Sequence, residues 1–319
     1  MYYNAYSSYL RERFGSRVLR LPIDGGFTCP NRDGHLGTGG CTFCANEAFS
    51  PSYCRQAESI TAQLDAGIRF QRHRCRPDTR YLAYFQSYSG TYAPLNLLRR
   101  CYEEALQHPN VVGIVIGTRP DCVDDTVLEL LASYTNNYYV AVEFGIESCY
   151  DHTLALVRRG HDFACTQHAV RAAAQRGLEV GGHLILGLPG ESRDDILGEA
   201  LLLNDLPLTS LKLHQLQILR GTEMERQYHK EESFRRSLLH FSVNEYITLV
   251  CDLLERLRPD LVIERLAAEV PPRYQACPER GFHHPDGRPV RNEDIHSLVT
   301  AEFARRGTHQ GSKYEKKSY

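Results

Sequence analysis

The most constraining feature of the chain is a rhythm of short apolar runs alternating with amphipathic stretches from residue 17 onward. The runs 18–21, 81–86, 111–117, 138–146, 178–187 and 210–218 are β-branched or aromatic and bounded by turn residues, which predicts buried strands. Segments 60–72, 95–107, 123–134, 163–176 and 194–205 carry apolar residues at helical spacing, with Asp121 and Ser192 read as helix starts. Parallel strands need crossovers, so strand-then-helix repetition means a parallel sheet. Six units predict an α/β protein, either an open doubly wound sheet or a partial (β/α)6 barrel of the TIM type. After about Gly221 the rhythm fails. Segment 243–257 reads as a helix, 261–266 as one further strand and 292–305 as a last helix, while the basic end from Gly311 to Tyr319 is expected to fray. The expected division is a core barrel over 1–222 and a small helical C-terminal extension over 223–319.

Composition narrows the function classes. Of 319 residues, 42% are hydrophobic and 24% charged, enough to bury a full core. The net charge of -2 carries no electrostatic footprint for nucleic acid, although a local patch would suffice for an RNA. No basic and apolar leader is present and no run approaches the roughly 18 apolar residues of a membrane span, so a cytoplasmic protein with no membrane partner is expected. Eleven cysteines at irregular spacing argue for reduced thiols rather than a disulfide framework.

Three of those cysteines stand together. Cys41 and Cys44 have the C-x-x-C spacing that brings two thiolates to one metal centre, and a loop containing Gly34, Gly37, Gly39 and Gly40 joins them to Cys29. Three thiolates leave a coordination position open for chemistry, whereas a structural zinc is closed by four ligands. A zinc-binding scaffold or interaction protein, with His35 or Cys54 as fourth ligand, is the competing reading. Loops after strand C-termini hold the active sites of barrel folds, which favours the catalytic one.

Strand parity adds a second group of candidates. On the fourth strand Val140, Val142, Phe144 and Ile146 share one face, while Ala141, Glu143, Gly145 and Glu147 share the other. Two carboxylates on a buried strand need polar partners. Lys212 and His214 share a face of the sixth strand and are candidates for substrate contact or proton delivery. Glu143, Glu147 and His183 also suit a hydrolytic or aldol-type barrel enzyme, a third class.

Together, 24–34 (DGGFTCPNRDG), Cys41 and Cys44 with Phe43 between them, 117–121 (GTRPD), 142–148 (VEFGIES), 159–161 (RGH) and 186–191 (LGLPGE) resemble the radical S-adenosylmethionine superfamily. The eleven residues between Cys29 and Cys41, against a usual three, are similar to the group of the elongator catalytic subunit, and the stretches resemble the YhcC-type family most. The resemblance implies an iron-containing enzyme in which Cys29, Cys41 and Cys44 bind a 4Fe-4S cluster. Its open iron would chelate S-adenosyl-L-methionine, whose reductive cleavage gives a 5′-deoxyadenosyl radical that abstracts a substrate hydrogen. It further implies a ribose contact at Glu143 or Glu147, a carboxylate contact at Arg159, and an adenosyl-supporting strand ending at Gly187. The superfamily's Gly-Gly-Glu-Pro is replaced by Tyr88-Ser89-Gly90-Thr91-Tyr92-Ala93-Pro94, so recognition of the methionine amino group would rest on carbonyls or hydroxyls. A reductant such as flavodoxin or ferredoxin is implied as partner. The substrate is not legible: RNA, a small metabolite and a protein side chain all fit.

Overall fold

The chain is seen here as a computed structural model that describes residues 2–55, 59–284 and 286–315. Seven strands form one sheet in chain order, every neighbouring pair parallel. They are β1 (Val18–Ile23), β2 (Arg80–Phe85), β3 (Val111–Thr118), β4 (Tyr139–Glu147), β5 (Glu179–Leu186), β6 (Ser210–Gln215) and β7 (Val262–Arg265). The sheet curls into a partial barrel whose edge strands are β1 and β7. Six strands were expected in the barrel, and the seventh comes from the 261–266 run beyond it, pairing parallel to β6. The sixth run ends earlier than its hydrophobicity suggests, because the chain leaves the sheet after Gln215.

Among the described residues eleven α-helices accompany the sheet. They are α1 (Tyr6–Phe14), α2 (Ile60–Phe70), α3 (Leu95–Leu106), α4 (Asp125–Ala132), α5 (Asp151–Leu156), α6 (Phe163–Gln175), α7 (Arg193–Asn204), α8 (Glu223–Lys230), α9 (Glu232–Ser237), α10 (Val243–Arg256) and α11 (Asn292–Arg306). The main core lies between the outer sheet face and these helices. Leu19, Leu21 and Ile23 of β1 and Val140, Val142, Phe144 and Ile146 of β4 pack there against Leu98, Tyr102, Val170 and Leu253. The alternation of the fourth strand thus separates helix-facing from barrel-facing residues. No helix among the described residues is long and apolar enough to cross a membrane.

Two expectations are corrected, and one helix is added. The third helix starts later than Asp121: Asp124 caps α4 by accepting from Val127 N, while Asp121 holds the Arg119 guanidinium at 2.8 and 2.7 Å. Ser192, by contrast, forms the capping box of α7. The C-terminal segment does not fray as far as it is described. Gly311 N donates to Leu254 O and Lys313 N to Glu255 O, and the preceding Gln310 donates to Arg258 O and Leu261 O. Residues 316–319 of that expectation lie outside the described residues. Helix α1 was not anticipated, since Ala5 supplies no side-chain cap. It is held by tertiary contacts instead: Tyr6 and Leu10 pack among Leu82, Val115, Tyr139 and Val262 inside the barrel. The preceding Asn4 O accepts from Ile263 N on the free edge of β7.

Above that apolar plug the barrel interior is ionic. Arg20 of β1 pairs with Glu143 of β4 and, at 2.6 Å, with Glu264 of β7. Lys212 of β6 pairs with the same two carboxylates at 2.6 and 2.8 Å. Tyr84 of β2 accepts from Lys212 Nζ at 3.2 Å. Glu143 and Lys212 are 2% and 3% exposed at the side chain, so solvent does not screen the pair. Burial alone would push the Glu143 carboxyl up, but Arg20, Lys212 and His183 hold it well below the usual carboxylate range. Gly181 on β5 makes room: a Cβ there would sit 2.9 Å from Glu143 Cγ.

Because the network is buried, removing one member strands opposite charges. Glu143→Gln is expected to lose about 3–5 kcal/mol of stability in urea denaturation at neutral pH. The Glu143 pKa is depressed on folding, so its contribution is present above the ordinary carboxylate range and lost as pH falls through the folded value. The gap between wild type and variant should therefore narrow on acidification; a gap that widens would contradict the assignment.

Candidate active site

The loop leaving the C-terminal end of β1 carries the three cysteines and is shaped by its own backbone. Arg32 N and Asp33 N donate to Cys29 O, Leu36 N to Pro30 O, Gly40 N to Asn31 O and Cys44 N to Cys41 O. Gly40 has φ 76°, and a Cβ on it would meet the Arg32 guanidinium at 2.9 Å, so both conformation and space call for glycine. Thr42 N donates to Val157 O and Met224 N to Thr42 O, which ties the C-x-x-C turn to the segment after α5 and to the start of α8.

Cys29, Cys41 and Cys44 line one cavity of about 230 Å³ over the C-terminal ends of the strands. Asn31 Nδ2 lies 3.6 Å and Arg159 Nη1 3.5 Å from Cys41 Sγ, both as donors. Arg32 donates to Cys44 O at 2.8 Å. Burial, with Cys41 adding to it, pushes the Cys44 thiol up, and Arg32 opposes this. Arg32, Arg119 and Arg159 also face the cavity, so its cysteine end is rich in positive charge. His35 is exposed, and Cys54 lies away from the cavity lining, near Pro22 O. Among the described residues no three His, Cys, Asp or Glu side chains converge on a single metal ion. A set of three thiols around a cavity, with N–H donors aimed at sulfur and cations nearby, suits an anionic iron–sulfur group whose ligands stand at the corners of a cluster.

The other candidates divide clearly. Glu147 lies in the cavity wall with Arg159, their nearest charged atoms 3.6 Å apart. Burial raises the Glu147 carboxyl, and Arg159 and Arg119 oppose that. Arg159 is buried and donates to Gly145 O at 2.7 Å, and its Nε has no partner. Burial would lower its pKa, but Cys41 and Glu147 keep the guanidinium charged. A Cβ on Gly145 would come within 2.4 Å of Glu147 Oε1 and 2.5 Å of Arg159 Nη2, so a larger residue there would displace this pair. Arg158, its neighbour, is exposed. Glu143 borders the cavity from below, but its carboxylate is taken up by Arg20, Lys212 and His183. Lys212 is likewise committed to that network. His183 and His214 stack at 5.6 Å between centroids in the cavity wall. Burial and Lys212 push His183 down to about 4, and burial, Arg265 and His183 push His214 well below the usual imidazole range, so both rings are neutral at physiological pH.

Gly187 is not among the residues lining the cavity. It leaves β5 with φ 89° and packs against Phe241. In the 88–94 segment Tyr88 reaches the cavity, while the Thr91 hydroxyl is held by Thr118 and Cys122 O and the Ser89 hydroxyl accepts from Arg119 N. The hydroxyls of Ser89 and Thr91 are therefore committed to internal bonds. Sequence reasoning did not single out Asn31, Arg32, Arg119 or Arg265 as site residues. The first three lie inside quoted motifs, whereas Arg265 stands in a short strand beyond the rhythm and carries no local signal.

The radical SAM superfamily family model matches residues 32–203, and a radical SAM C-terminal domain model matches 208–284. Among curated relatives, Bacillus subtilis YtqA is 34% identical over 98% of this chain and 93% of its own length. Escherichia coli YhcC is 39% identical over 83% of each chain. The solved structure of archaeal Methanocaldococcus infernus Elp3 with an N-terminal deletion superposes with a TM-score of 0.67 at 17% identity, covering 92% of this chain and 64% of that one. At that identity the likeness is one of fold. The family matches and the full-length likeness to YtqA, on a parallel half-barrel with three cysteines at its mouth, place this chain in the radical SAM superfamily.

Proposed function

We propose that the cavity binds a 4Fe-4S cluster on Cys29, Cys41 and Cys44 with S-adenosylmethionine beside it, and that the protein abstracts a hydrogen atom from its substrate. The observation that carries this reading is the convergence of the three thiols on one cavity with Arg159 donating to Cys41 Sγ, in a chain of this superfamily. When bound, such a cluster supplies one electron that splits the sulfonium bond of S-adenosylmethionine into methionine and a 5′-deoxyadenosyl radical. A separate one-electron donor such as flavodoxin or ferredoxin would deliver that electron.

The protein's part is binding, orientation and exclusion of water. Asn31 and Arg159 each direct an N–H at Cys41 Sγ, which stabilises negative charge on sulfur. The unpartnered Nε of Arg159 leaves a guanidinium edge for the methionine carboxylate. Glu147 is the carboxylate left to accept from ribose hydroxyls, because Glu143 is held by three other groups. Tyr88, Phe43 and Ile185 supply apolar wall to a space that must stay dry around a radical.

Anaerobic reconstitution with iron and sulfide is expected to give a brown protein with about four irons whose reduced-state EPR signal changes on adding S-adenosylmethionine. A colourless protein holding zinc would overturn the reading. Cys41→Ala is expected to lose both the cluster absorbance and reductive cleavage of S-adenosylmethionine; cleavage that persists would refute the ligand assignment. Arg159→Lys keeps the charge but loses the planar fork. It should weaken S-adenosylmethionine binding roughly tenfold in an EPR-followed titration, the worth of about one charge-assisted hydrogen bond. Unchanged affinity would remove Arg159 from the site.

A further inference from the structure

Beyond the cysteines, the cavity wall formed by β5, β6, the segment after β6 and β7 contains three polar groups without a partner among the described residues. His214 Nε2 is buried without a partner, and so is Gln217 Oε1, whose amide nitrogen is already given to Ala268 O. Arg265, the last residue of β7, makes no ion pair among the described residues. Lys212 stands beside it in the sheet register and the imidazoles of His183 and His214 are close, while Glu264, its neighbour along β7, is paired with Arg20 and Lys212. Within the barrel Arg20, Lys212 and Arg265 stand against the two carboxylates Glu143 and Glu264, and among the described residues both carboxylates form ion pairs with Arg20 and Lys212 and neither with Arg265. Arg265 is the cation left over, and repulsion from it is among the effects that lower the pKa of Lys212 and both histidines.

Arg265 also has a particular position. A second cavity, of about 800 Å³, runs along the open side of the barrel between β1 and β7. The two cavities share Tyr84, Gln86, Lys212 and Arg265 in their walls, so the side cleft abuts the inner one at this guanidinium. Arg11, Arg17, Arg74 and Arg76 line the cleft, and none of them forms an ion pair among the described residues; the acids of the cleft wall are Asp78 and the paired Glu264. Unpaired arginines along a concave path raise the local concentration of anions and steer them inward.

Resting on the reading of the cysteine end as the S-adenosylmethionine site, we infer that the substrate carries an anionic group, a phosphate or a carboxylate, enters through the side cleft and seats that group on Arg265. A planar guanidinium with a full set of free N–H donors matches either oxyanion bidentately. His214 in its Nε2–H tautomer adds a donor, and Gln217 Oε1 accepts from a hydroxyl or N–H elsewhere on the same ligand. The path also separates the two anions of the reaction: the methionine carboxylate belongs with Arg159 at the cysteine end and the substrate anion with Arg265 at the cleft.

The test is isothermal titration of the reconstituted full-length protein, saturated with S-adenosylmethionine, using pyrophosphate in one arm and citrate in the other. Saturable binding of at least one anion is expected, weakened tenfold or more in Arg265→Gln and by less in Arg265→Lys, and the tighter anion identifies the group. No saturable binding of either anion by wild type, or equal binding by Arg265→Gln, overturns the inference. Thermal melting checks that each variant is folded, and the wild-type titration decides the matter if Arg265→Gln is not. Cluster content is read by absorbance in the same samples. A protein without a cluster defeats the proposed function, whereas a loaded protein that ignores both anions defeats only the substrate inference.

Discussion

Arg20, Glu143, Lys212 and Glu264 form a closed square of charges in the middle of an open barrel, and much of the structure depends on it. A full barrel joins its first and last strands by backbone hydrogen bonds. Here β1 and β7 are edges, and the side chains of Arg20 and Glu264 cross the gap that no ladder spans. Such a square is expensive to bury unless every charge has its partner, and within it Glu143 and Lys212 each pair with two neighbours. Helix α1 completes the closure below it, with the Tyr6 ring 4.6 Å from the Arg20 guanidinium.

That arrangement divides the barrel axis into three levels with different chemistry. The lowest is apolar and packed, the middle is ionic and rigid, and the uppermost is a cavity bounded by loops. The ionic level forms the floor of the cavity, beneath Glu147, Arg159 and the cysteine loop. The same charges bridge the gap between β1 and β7, where the side cleft lies. An opening of that kind suits a protein whose substrate and S-adenosylmethionine are proposed to meet inside.

Legibility from the sequence differed by the range of the interaction. The strands were legible because burial on both faces leaves continuous apolar runs, and β4, buried along all nine residues, was the plainest. The alternation within it correctly assigned Glu143 and Glu147 to the barrel face. Their different fates were not legible, since both are carboxylates on one face of one strand. What separates them is Arg20, 123 positions away in the chain from Glu143, against Arg159 beside Glu147. Helix α1 escaped for a related reason: its weak local signals are overridden by packing against residues from β2 to β7. Gly187 carried a turn signal, and a turn at the end of β5 is where it lies.

By itself the sequence determined the parallel α/β architecture, the cysteine loop after the first strand and the family, because each depends on periodicity or on residues close together in the chain. Tertiary structure alone decided which carboxylate the ionic square takes up, which arginine meets Cys41, and that Arg265 has no ion pair among the described residues. Those are properties of pairing, and a charge is paired or unpaired only once the curl of the sheet has brought distant strands within a few ångströms of one another.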